Sequence, residues 1–420
     1  MERFFELLEK GKTQFHLVSE CIDILSSEGF KMIDVDSLSE LREDGRYMCS
    51  PYSSMLIAFV RNSDAVDLRI AAAHTDFPML KLKPNPEIIK SGYAQINVEP
   101  YGGLIKESWF DRPLGIAGKV ILRGSDAFHP SPVLFDSEKP VCIIPNLAPH
   151  FSKGKNYEPD VQKEMVPVLT HVSSYENGRL SEDFLLDYVS RKLSVDREDI
   201  IDYDLYLYIT SSPVTLGLND EYLSAARIDN ISSVSAILEA LYSADINKCC
   251  AACVFFDNEE IGSKSKQGAD SILFKDILEQ LVPNRSLLYH ASCLSVDVAH
   301  GTHPNYQEKA DITNNIFLGG GPVIKSSASQ RYVTDSEAAA IIIELCKEKN
   351  IKYMRQANRS GIPGGQTLGP IMSSYLPVKA VDMGIPLLAM HSAAELMCKS
   401  DYLELKHLIT EYFSYRLRPS

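Results

Sequence analysis

The sequence predicts an α/β protein with a central mixed sheet flanked by helices, interrupted in its middle by a β-rich segment. Helical and strand-like patterns alternate before about residue 85 and again after residue 221. Between these points lie short strand-like runs punctuated by Gly, Pro and Asp, such as "AQINVEPYGG" and "GIAGKVILRG". We therefore expect a discontinuous domain of residues 1–84 and 222–420, with residues 85–221 as an inserted domain.

The individual elements are predicted from the spacing of apolar residues. "FFELLEKGKTQFHLVSECIDILSSEGF" has helical spacing and predicts one helix that ends at Gly29. The branched apolar runs "SSMLIAFV" and "DLRIAAAHTD" predict strands. After the insertion, the predicted order is helix ("ISSVSAILEALYSA"), strand ("AACVFFDN"), helix ("ADSILFKDILEQLV"), strand ("CLSVDVAH"), helix ("SEAAAIIIELCKEKN"), strand ("IPLLAMHSAAE") and a C-terminal helix near "DYLELKHLITEYFSYRL".

Composition and charge exclude several classes of protein. A length of 420 residues suits two domains. The 42 basic and 56 acidic residues give a net charge of -14, which repels phosphate backbones and argues against a nucleic-acid partner. The sequence has neither a secretory signal pattern nor an apolar run that could span a membrane. Its nine cysteines are scattered, most of them in apolar contexts, which predicts reduced thiols in a cytoplasmic protein.

Side chains that bind metals or move protons lie near the ends of predicted strands. Open α/β sheets bind ligands beyond the carboxyl ends of their strands, so residues distant in sequence can converge there. Taken singly, each has an ordinary explanation, such as a helix cap or an acidic first turn. Taken together, they supply ligands for two divalent ions such as zinc, cobalt or manganese. They are His74 and Asp76 in "AAAHTDFP", Asp229 in "ARIDNISS", Glu259 and Glu260 in "FFDNEEIGS", Asp297 and His300 in "SVDVAH", and His391 in "LAMHSAAE".

These segments resemble the aspartyl aminopeptidase family, the dinuclear zinc aminopeptidases related to yeast vacuolar aminopeptidase I. The resemblance runs nearly end to end, and "WFDRPLG" and "DVAHGTHPNY" are its most specific blocks. It implies a metallo-aminopeptidase that removes the N-terminal residue from peptides. It further implies that the insertion is a dimerisation domain, and that dimers assemble into a dodecamer. Other matching blocks are "FHLVSECIDIL", "AAHTDFPMLKLKP", "RIDNISS", "GPVIKSSASQRYVTD", "TLGPI" and "MHSAAEL".

The resemblance also implies a role for each residue of the set. Two metal ions per subunit, zinc with cobalt or manganese as alternatives, would share a bridging carboxylate. The ligands would be His74 and Asp297 for one ion, Glu260 and His391 for the other, and Asp229 between them.

Five further positions would handle protons and substrate. Asp76 would accept the ring N–H of His74 and fix its tautomer. Glu259 would be the general base. His300 would donate a hydrogen bond to the tetrahedral oxyanion, and Lys325 would lie in the substrate pocket. His150 would reach from the inserted domain into the active site of the partner subunit.

One loop departs from the family pattern and leaves the substrate preference open. Where the family often has Asp-x-Pro-Cys-Gly-Thr-Thr, this chain has Gly361, Gly364 and Gln366 in place of the Asp, the Cys and the first Thr. We expect a preference for acidic N-terminal residues, supported by Lys325. The alternatives are a neutral-residue aminopeptidase or a deacylase on the same scaffold, and a catalytically silent assembly particle. The retained Glu259 argues against the last.

Overall fold

The structure is a computed structural model and describes residues 1–151, 157–174, 180–362 and 364–417. Its α-helices, numbered along the chain, are α1 (Glu2–Lys10), α2 (Gln14–Ser27), α3 (Val161–Glu164), α4 (Phe184–Leu193), α5 (Ile228–Ser243), α6 (Leu273–Leu281), α7 (Ser336–Lys349), α8 (Leu368–Met372) and α9 (Lys399–Ser414).

The strands are numbered in the same way. They are β1 (Lys31–Met32), β2 (Gly45–Tyr52), β3 (Met55–Arg61), β4 (Asp67–His74), β5 (Met79–Lys90), β6 (Tyr93–Tyr101), β7 (Pro113–Asp126), β8 (His129–Asp136), β9 (Cys142–Ile143), β10 (Val168–His171), β11 (Ile200–Ile209), β12 (Val214–Leu216), β13 (Tyr222–Ala225), β14 (Cys249–Phe256), β15 (Ser292–Val296), β16 (Ala299–His300), β17 (Val323–Ser326), β18 (Met354–Ala357), β19 (Lys379–Gly384), β20 (Pro386–Leu387) and β21 (Glu395–Cys398).

The chain divides into two compact units whose boundaries differ from the predicted ones at residues 84 and 221. Strand β5 crosses residue 84 and pairs with β6, so it belongs whole to the inserted unit. Strand β12 pairs with β13, which keeps it with the rest of the α/β unit. Unit 1 consists of residues 1–76, 213–390 and 395–420, and unit 2 of residues 77–212 and 391–394.

Unit 1 contains the predicted mixed sheet, whose strand order is β1-β2-β3-β14-β4-β15-β19-β17-β18. Strands β14, β4, β15 and β19 run parallel to their neighbours within this group, whereas β3 pairs with β14 in the antiparallel sense. Every residue of β14 is buried, as expected for a central strand covered on both faces. Smaller sheets of unit 1 have the orders β12-β13-β21 and β16-β20.

Helices cover both faces of this sheet. The side chains of β4 alternate between the two faces and contact helices on each of them. Leu68 and Ile70 pack into one core with residues of α6 and α8. From the other face, the Arg69 guanidinium donates hydrogen bonds to the carbonyl oxygens of Tyr412 and Phe413 in α9. Helix α5 packs against α9 and α1.

The single N-terminal helix predicted from the sequence is wrong, because the chain breaks it after Lys10. The N–H of Gly11 bonds the carbonyl oxygen of Leu7, and a Cβ on Gly11 would lie 2.7 Å from that oxygen. Thr13 is extended, with φ -140° and ψ 169°, and precedes the first residue of α2. Gly followed closely by Thr is a stop signal and a start signal, which a search for apolar spacing alone overlooks.

Unit 2 is built on a sheet with the order β11-β5-β6-β10-β9-β7-β8. Strand β11 pairs with both β5 and β7, so the strands from β11 to β7 close into a ring and β8 lies outside it. Helices α3 and α4 belong to the same unit. The β-rich character predicted for the insertion is therefore that of a small barrel.

Candidate active site

The parallel strands of unit 1 bring acidic side chains and a histidine to one edge of the sheet. His74 ends β4, and its register partner Phe256 ends the neighbouring strand β14. Glu259 therefore follows β14 at the same edge, and Asp297 comes directly after β15, the other neighbour of β4. Adjacent parallel strands that end together account for this convergence.

His74 lies at the centre of the resulting cluster. Its Nε2 atom is 3.5 Å from Oδ1 of Asp229, 3.6 Å from Oδ1 of Asp297 and 4.0 Å from Oε2 of Glu259. One ligand atom each from His74, Asp229 and Asp297 lie within 4.8 Å of one another, and the same holds for His74, Glu259 and Glu260. Imidazole nitrogen and carboxylate oxygen are the donors that zinc accepts alongside thiolate, so the set fits a zinc ion.

The adjacent carboxylates of Glu259 and Glu260 are held by a tight turn after β14. Asn258 and Gly262, on either side of this turn, have φ values of 64° and 99°. The carboxylate of the buried Asp76 accepts the backbone N–H of Glu259 through Oδ1 and that of Glu260 through Oδ2, each at 3.1 Å. Asp76 therefore fixes the backbone of the pair.

This arrangement differs from the contact predicted for Asp76. The Nδ1 atom of His74 is 3.0 Å from the backbone oxygen of Asp76 and 3.5 Å from its Oδ1. The backbone carbonyl is thus the nearer acceptor of the ring N–H. The prediction placed both residues on one continuous strand, but β4 ends at His74, and the chain turns before Asp76.

Burial and neighbouring charges set the ionisation of the cluster. Burial opposes charge on His74, yet the carboxylates of Asp229, Asp297 and Asp76 raise the pKa of its imidazole well above the usual value. Burial, together with the charges of the neighbouring aspartates, raises the pKa of Glu259 to about 8. The raised pKa of His74 reflects the negative charge around it, which favours binding of a cation.

Lys325 lies against the cluster on β17. Its Nζ atom is 3.4 Å from Oδ2 of Asp297 and 5.4 Å from the centre of the Tyr332 ring. Only 2% of Lys325 is exposed. Burial alone would raise the pKa of Asp297, but Lys325 and His74 lower it below its usual range. Lys325 is therefore a buried ion-pair partner of Asp297.

The remaining predicted residues are His300, His391 and His150. His300 is exposed at the end of β16 and lines a cleft of about 510 Å³ in unit 1. His391 belongs to unit 2, where its Nδ1 atom is 2.9 Å from the carbonyl oxygen of Gly103 and its φ is 67°. His150 is exposed in a short 3-10 turn of unit 2, Pro149–Phe151.

The loop that departs from the family pattern contributes Gly364 to the lining of the same cleft of unit 1. Gly361 has a φ of 85°, a conformation that favours glycine over the aspartate of the family pattern. A Cβ on Gly364 would lie 2.1 Å from Nδ2 of Asn358, so a cysteine there would displace the Asn358 side chain. Pro363 lies outside the described residues.

Two residues that contact the cluster or Lys325 were not predicted from the sequence. The side chain of Glu395, in β21, accepts the backbone N–H of Asp229 through Oε2 at 3.0 Å. The ring of Tyr332 faces the ammonium of Lys325. Both lie in quoted blocks of the family resemblance, but neither has a local spacing that would indicate its contact.

Comparison with known proteins supports the resemblance across the chain. The model of the family described as Aminopeptidase I zinc metalloprotease (M18) matches residues 7–413. The chain belongs to the M18 family of zinc aminopeptidases. It is 36% identical over 428 residues to a probable M18 family aminopeptidase 2 of Clostridium acetobutylicum, with 98% of both chains covered.

Solved structures share the fold of this M18 chain. A cryo-EM structure of the Ape4 and Nbr1 complex matches with a TM-score of 0.92 at 28% identity, covering 98% of this chain and 84% of that one. The S. cerevisiae mApe1 dodecamer matches with a TM-score of 0.82 at 24% identity, covering 98% and 95%. The M18 chain is thus a hydrolase of the zinc metallopeptidase class with the Ape1 fold.

In the described part of this M18 chain, no helix is both long and apolar enough to cross a membrane.

Proposed function

We propose that this M18 aminopeptidase removes the N-terminal residue of peptides with two divalent metal ions per subunit. His74 and Asp297 would hold one ion, Glu260 and His391 the other, and Asp229 would bridge them. The observation that carries the proposal is the convergence of His74, Asp229 and Asp297, whose ligand atoms lie within 4.8 Å of one another. Zinc is the expected metal because the family is one of zinc metalloproteases, with cobalt or manganese as alternatives.

Metal ions bound there would supply a water of lowered pKa and polarisation of the scissile carbonyl. Glu259 is the proposed base: its carboxylate takes the proton of the attacking water and passes it to the leaving amine. Asp76 supports this role by holding the backbone of Glu259 through its N–H. The His300 side chain would donate a hydrogen bond to the oxyanion.

The first residue of the substrate is proposed to be acidic. Lys325 is the proposed cation for this selection, since its ammonium lies beside the cluster, 3.4 Å from Oδ2 of Asp297. The main alternative is an aminopeptidase for neutral residues such as Leu, since Gly361, Gly364 and Gln366 replace the loop residues common in the family. A deacylase with the same ligand set is the other alternative.

We also propose that unit 2 dimerises and that His150 enters the active site of the neighbouring subunit. Exposure of His150 on unit 2 is consistent with such a role. Assembly of dimers into a dodecamer is the further expectation. A reducing, cytoplasmic location is supported by the nine cysteines, all of which are buried and free of disulfides.

Metal content and product analysis test the function together. Purified protein loaded with zinc should contain two ions per chain by inductively coupled plasma mass spectrometry. It should release free amino acids from Glu-, Asp-, Leu- and Ala-reporters. N-acetylated forms of the same reporters are the control, because a deacylase would consume them and an aminopeptidase would not. One ion per chain, or preferential loss of the acetyl group, would contradict the proposal.

A further inference from the structure

A cleft of about 510 Å³ in unit 1 begins at His300. His300 is three residues beyond Asp297 in sequence. On another wall, Gln356 of β18 is the register partner of Lys325, whose ammonium lies 3.4 Å from Asp297. Two separate parts of the cleft lining are therefore neighbours of Asp297 or of its partner Lys325, one along the chain and one across the sheet.

The cleft is too large for one amino-acid side chain. Its volume falls in the range of clefts that bind drug-sized molecules, about 300–1,000 Å³. An aminopeptidase has only the first residue of its substrate on the amino side of the scissile bond. A cleft that is large enough for more than one residue therefore suits the part of the peptide that leaves.

The charged side chains of the cleft give it a positive character within an acidic protein. Lys309 and Arg359 both line it, both are exposed, and neither forms an ion pair within the described ranges. The one acid of the described lining, Asp311, accepts the backbone N–H groups of Thr313 and Asn314 and keeps its negative charge. Two cations against one carboxylate leave the described lining with a net positive charge, in a chain with a net charge of -14, which favours an anionic ligand.

We propose that this cleft binds the peptide downstream of the scissile bond and selects peptides with Asp or Glu at their second to fourth residues. Lys309 and Arg359 are the specificity-determining residues. The amide oxygen of Gln356 is buried in a wall of the cleft and lacks a hydrogen-bond partner among the residues described. The inference rests on the proposed aminopeptidase function and adds a second, independent preference to the one for the first residue.

Competing effects of the first residue are removed by comparing peptides that share it. Three pentapeptides would share their first and last residues and carry Asp-Asp-Asp, Ala-Ala-Ala or Lys-Lys-Lys between them. The acidic peptide should have a kcat/KM about 2- to 30-fold above that of the neutral one, the range expected from two exposed ion pairs. The basic peptide should be cleaved more slowly than either. Raising the salt concentration should reduce these ratios, because exposed charges are screened.

The double variant Lys309→Gln/Arg359→Gln should bring the ratio of acidic to neutral peptide close to one. The matched control is Lys31→Gln/Lys248→Gln, which removes the same charge from two exposed lysines without ion pairs in the described structure. This control should keep both the basal activity and the ratio. A wild-type ratio of one, a ratio that survives the double variant, or an equal loss in the control would each overturn the proposal.

Binding separates failure of this inference from failure of the proposed function. In a Glu259→Gln background, fluorescence anisotropy of the same peptides, labelled at the carboxyl terminus, measures affinity without turnover. The acidic peptide should bind about 2- to 30-fold more tightly than the neutral one, and the double variant should abolish the difference. Equal affinities would overturn the cleft assignment whether or not the wild-type protein cleaves peptides.

Discussion

The ammonium of Lys325 lies 3.4 Å from Oδ2 of Asp297, while Oδ1 of the same carboxylate is 3.6 Å from Nε2 of His74. One carboxylate thus faces a buried cation on one side and the proposed metal site on the other. Replacing Lys325 by Met removes the positive charge and keeps much of the side-chain volume. Because a cation next to Asp297 opposes metal binding, its removal should not lower the metal content.

The same variant should lose acidic selectivity. If Lys325 selects the first residue, wild-type protein should cleave Glu- and Asp-reporters faster than Leu- and Ala-reporters, and Lys325→Met should erase this difference. Lys325→Arg is the matched control, because it retains the charge and should retain part of the preference. Faster cleavage of Leu-reporters by the wild-type protein would refute the acidic preference and leave the aminopeptidase assignment standing.

The two adjacent glutamates should respond differently to the same change. Glu259→Gln should keep both metal ions and slow turnover by roughly 100- to 10,000-fold, the range for loss of general acid–base catalysis. Glu260→Gln should lower metal occupancy, because it replaces a proposed ligand by a neutral amide. Metal analysis after dialysis distinguishes the two roles. Equal loss of metal in both variants would contradict the assignment.

Asp76 should matter for both stability and turnover. Asp76→Ala leaves the N–H groups of Glu259 and Glu260 without their carboxylate acceptor in a buried place. Hydrogen bonds to charged groups contribute about 1.5–3 kcal/mol each, so the free energy of unfolding should fall by about 3 kcal/mol or more. Denaturant titration measures this loss, and kcat should fall as the glutamates lose their position. Asp76→Asn, which keeps one acceptor oxygen, should be less affected than Asp76→Ala.

A pH effect on stability is expected from Asp401 at the start of α9. Burial raises the pKa of its carboxyl to about 6, although it accepts the backbone N–H groups of Gly319 and Gly321. Between about pH 4 and pH 6 the folded protein therefore binds a proton that the unfolded chain has released, so stability falls as pH rises. The fall should be about 3 kcal/mol.

Denaturant titrations at several pH values, compared between wild type and Asp401→Asn, isolate this effect because the amide does not titrate. The difference between the two proteins should change across this window and stay constant above pH 7. A constant difference from pH 4 to pH 7 would show that Asp401 has an ordinary pKa.

Mixed oligomers test the proposed role of His150. Subunits carrying His150→Ala and subunits carrying Glu259→Gln should each be weakly active alone. Co-assembled particles should recover activity, because some sites would combine an intact metal centre with His150 of a partner subunit. Native mass spectrometry verifies that the particles are mixed. Mixed particles without recovered activity would mean that His150 acts within its own subunit or has no catalytic role.

The convergence of the cluster could be predicted because it depends on chain direction and strand ends. His74, Glu259 and Asp297 each follow a strand-like apolar run, and parallel neighbours place such positions at one edge. The two-unit organisation and the β-rich insertion could also be predicted, because helical and strand-like segments alternate outside the insertion and only strand-like runs occur within it. These features depend on local spacing, which a single sequence displays directly.

The contacts of individual side chains could not be predicted from the sequence. Asp76 bonds the backbone of residues more than 180 positions away, and that pairing leaves no local pattern. The contact between Lys325 and Asp297 likewise depends on how β17 lies relative to β15, with β19 between them. The domain boundaries differ from the predicted ones for a similar reason. The strand with which a segment pairs, and not its composition, decides the unit to which it belongs.

The ring of strands in unit 2 has a consequence for how copies of the chain can associate. Among the described strands of unit 2, those of the ring pair with neighbours on both sides, and β8 pairs on one side with β7. Pro130 and Pro132 lie on β8 and have no N–H to offer an incoming strand. This edge therefore disfavours backbone pairing, which accepts nearly any extended peptide and leads to aggregation, and it favours association through side-chain surfaces, which can be specific for one partner.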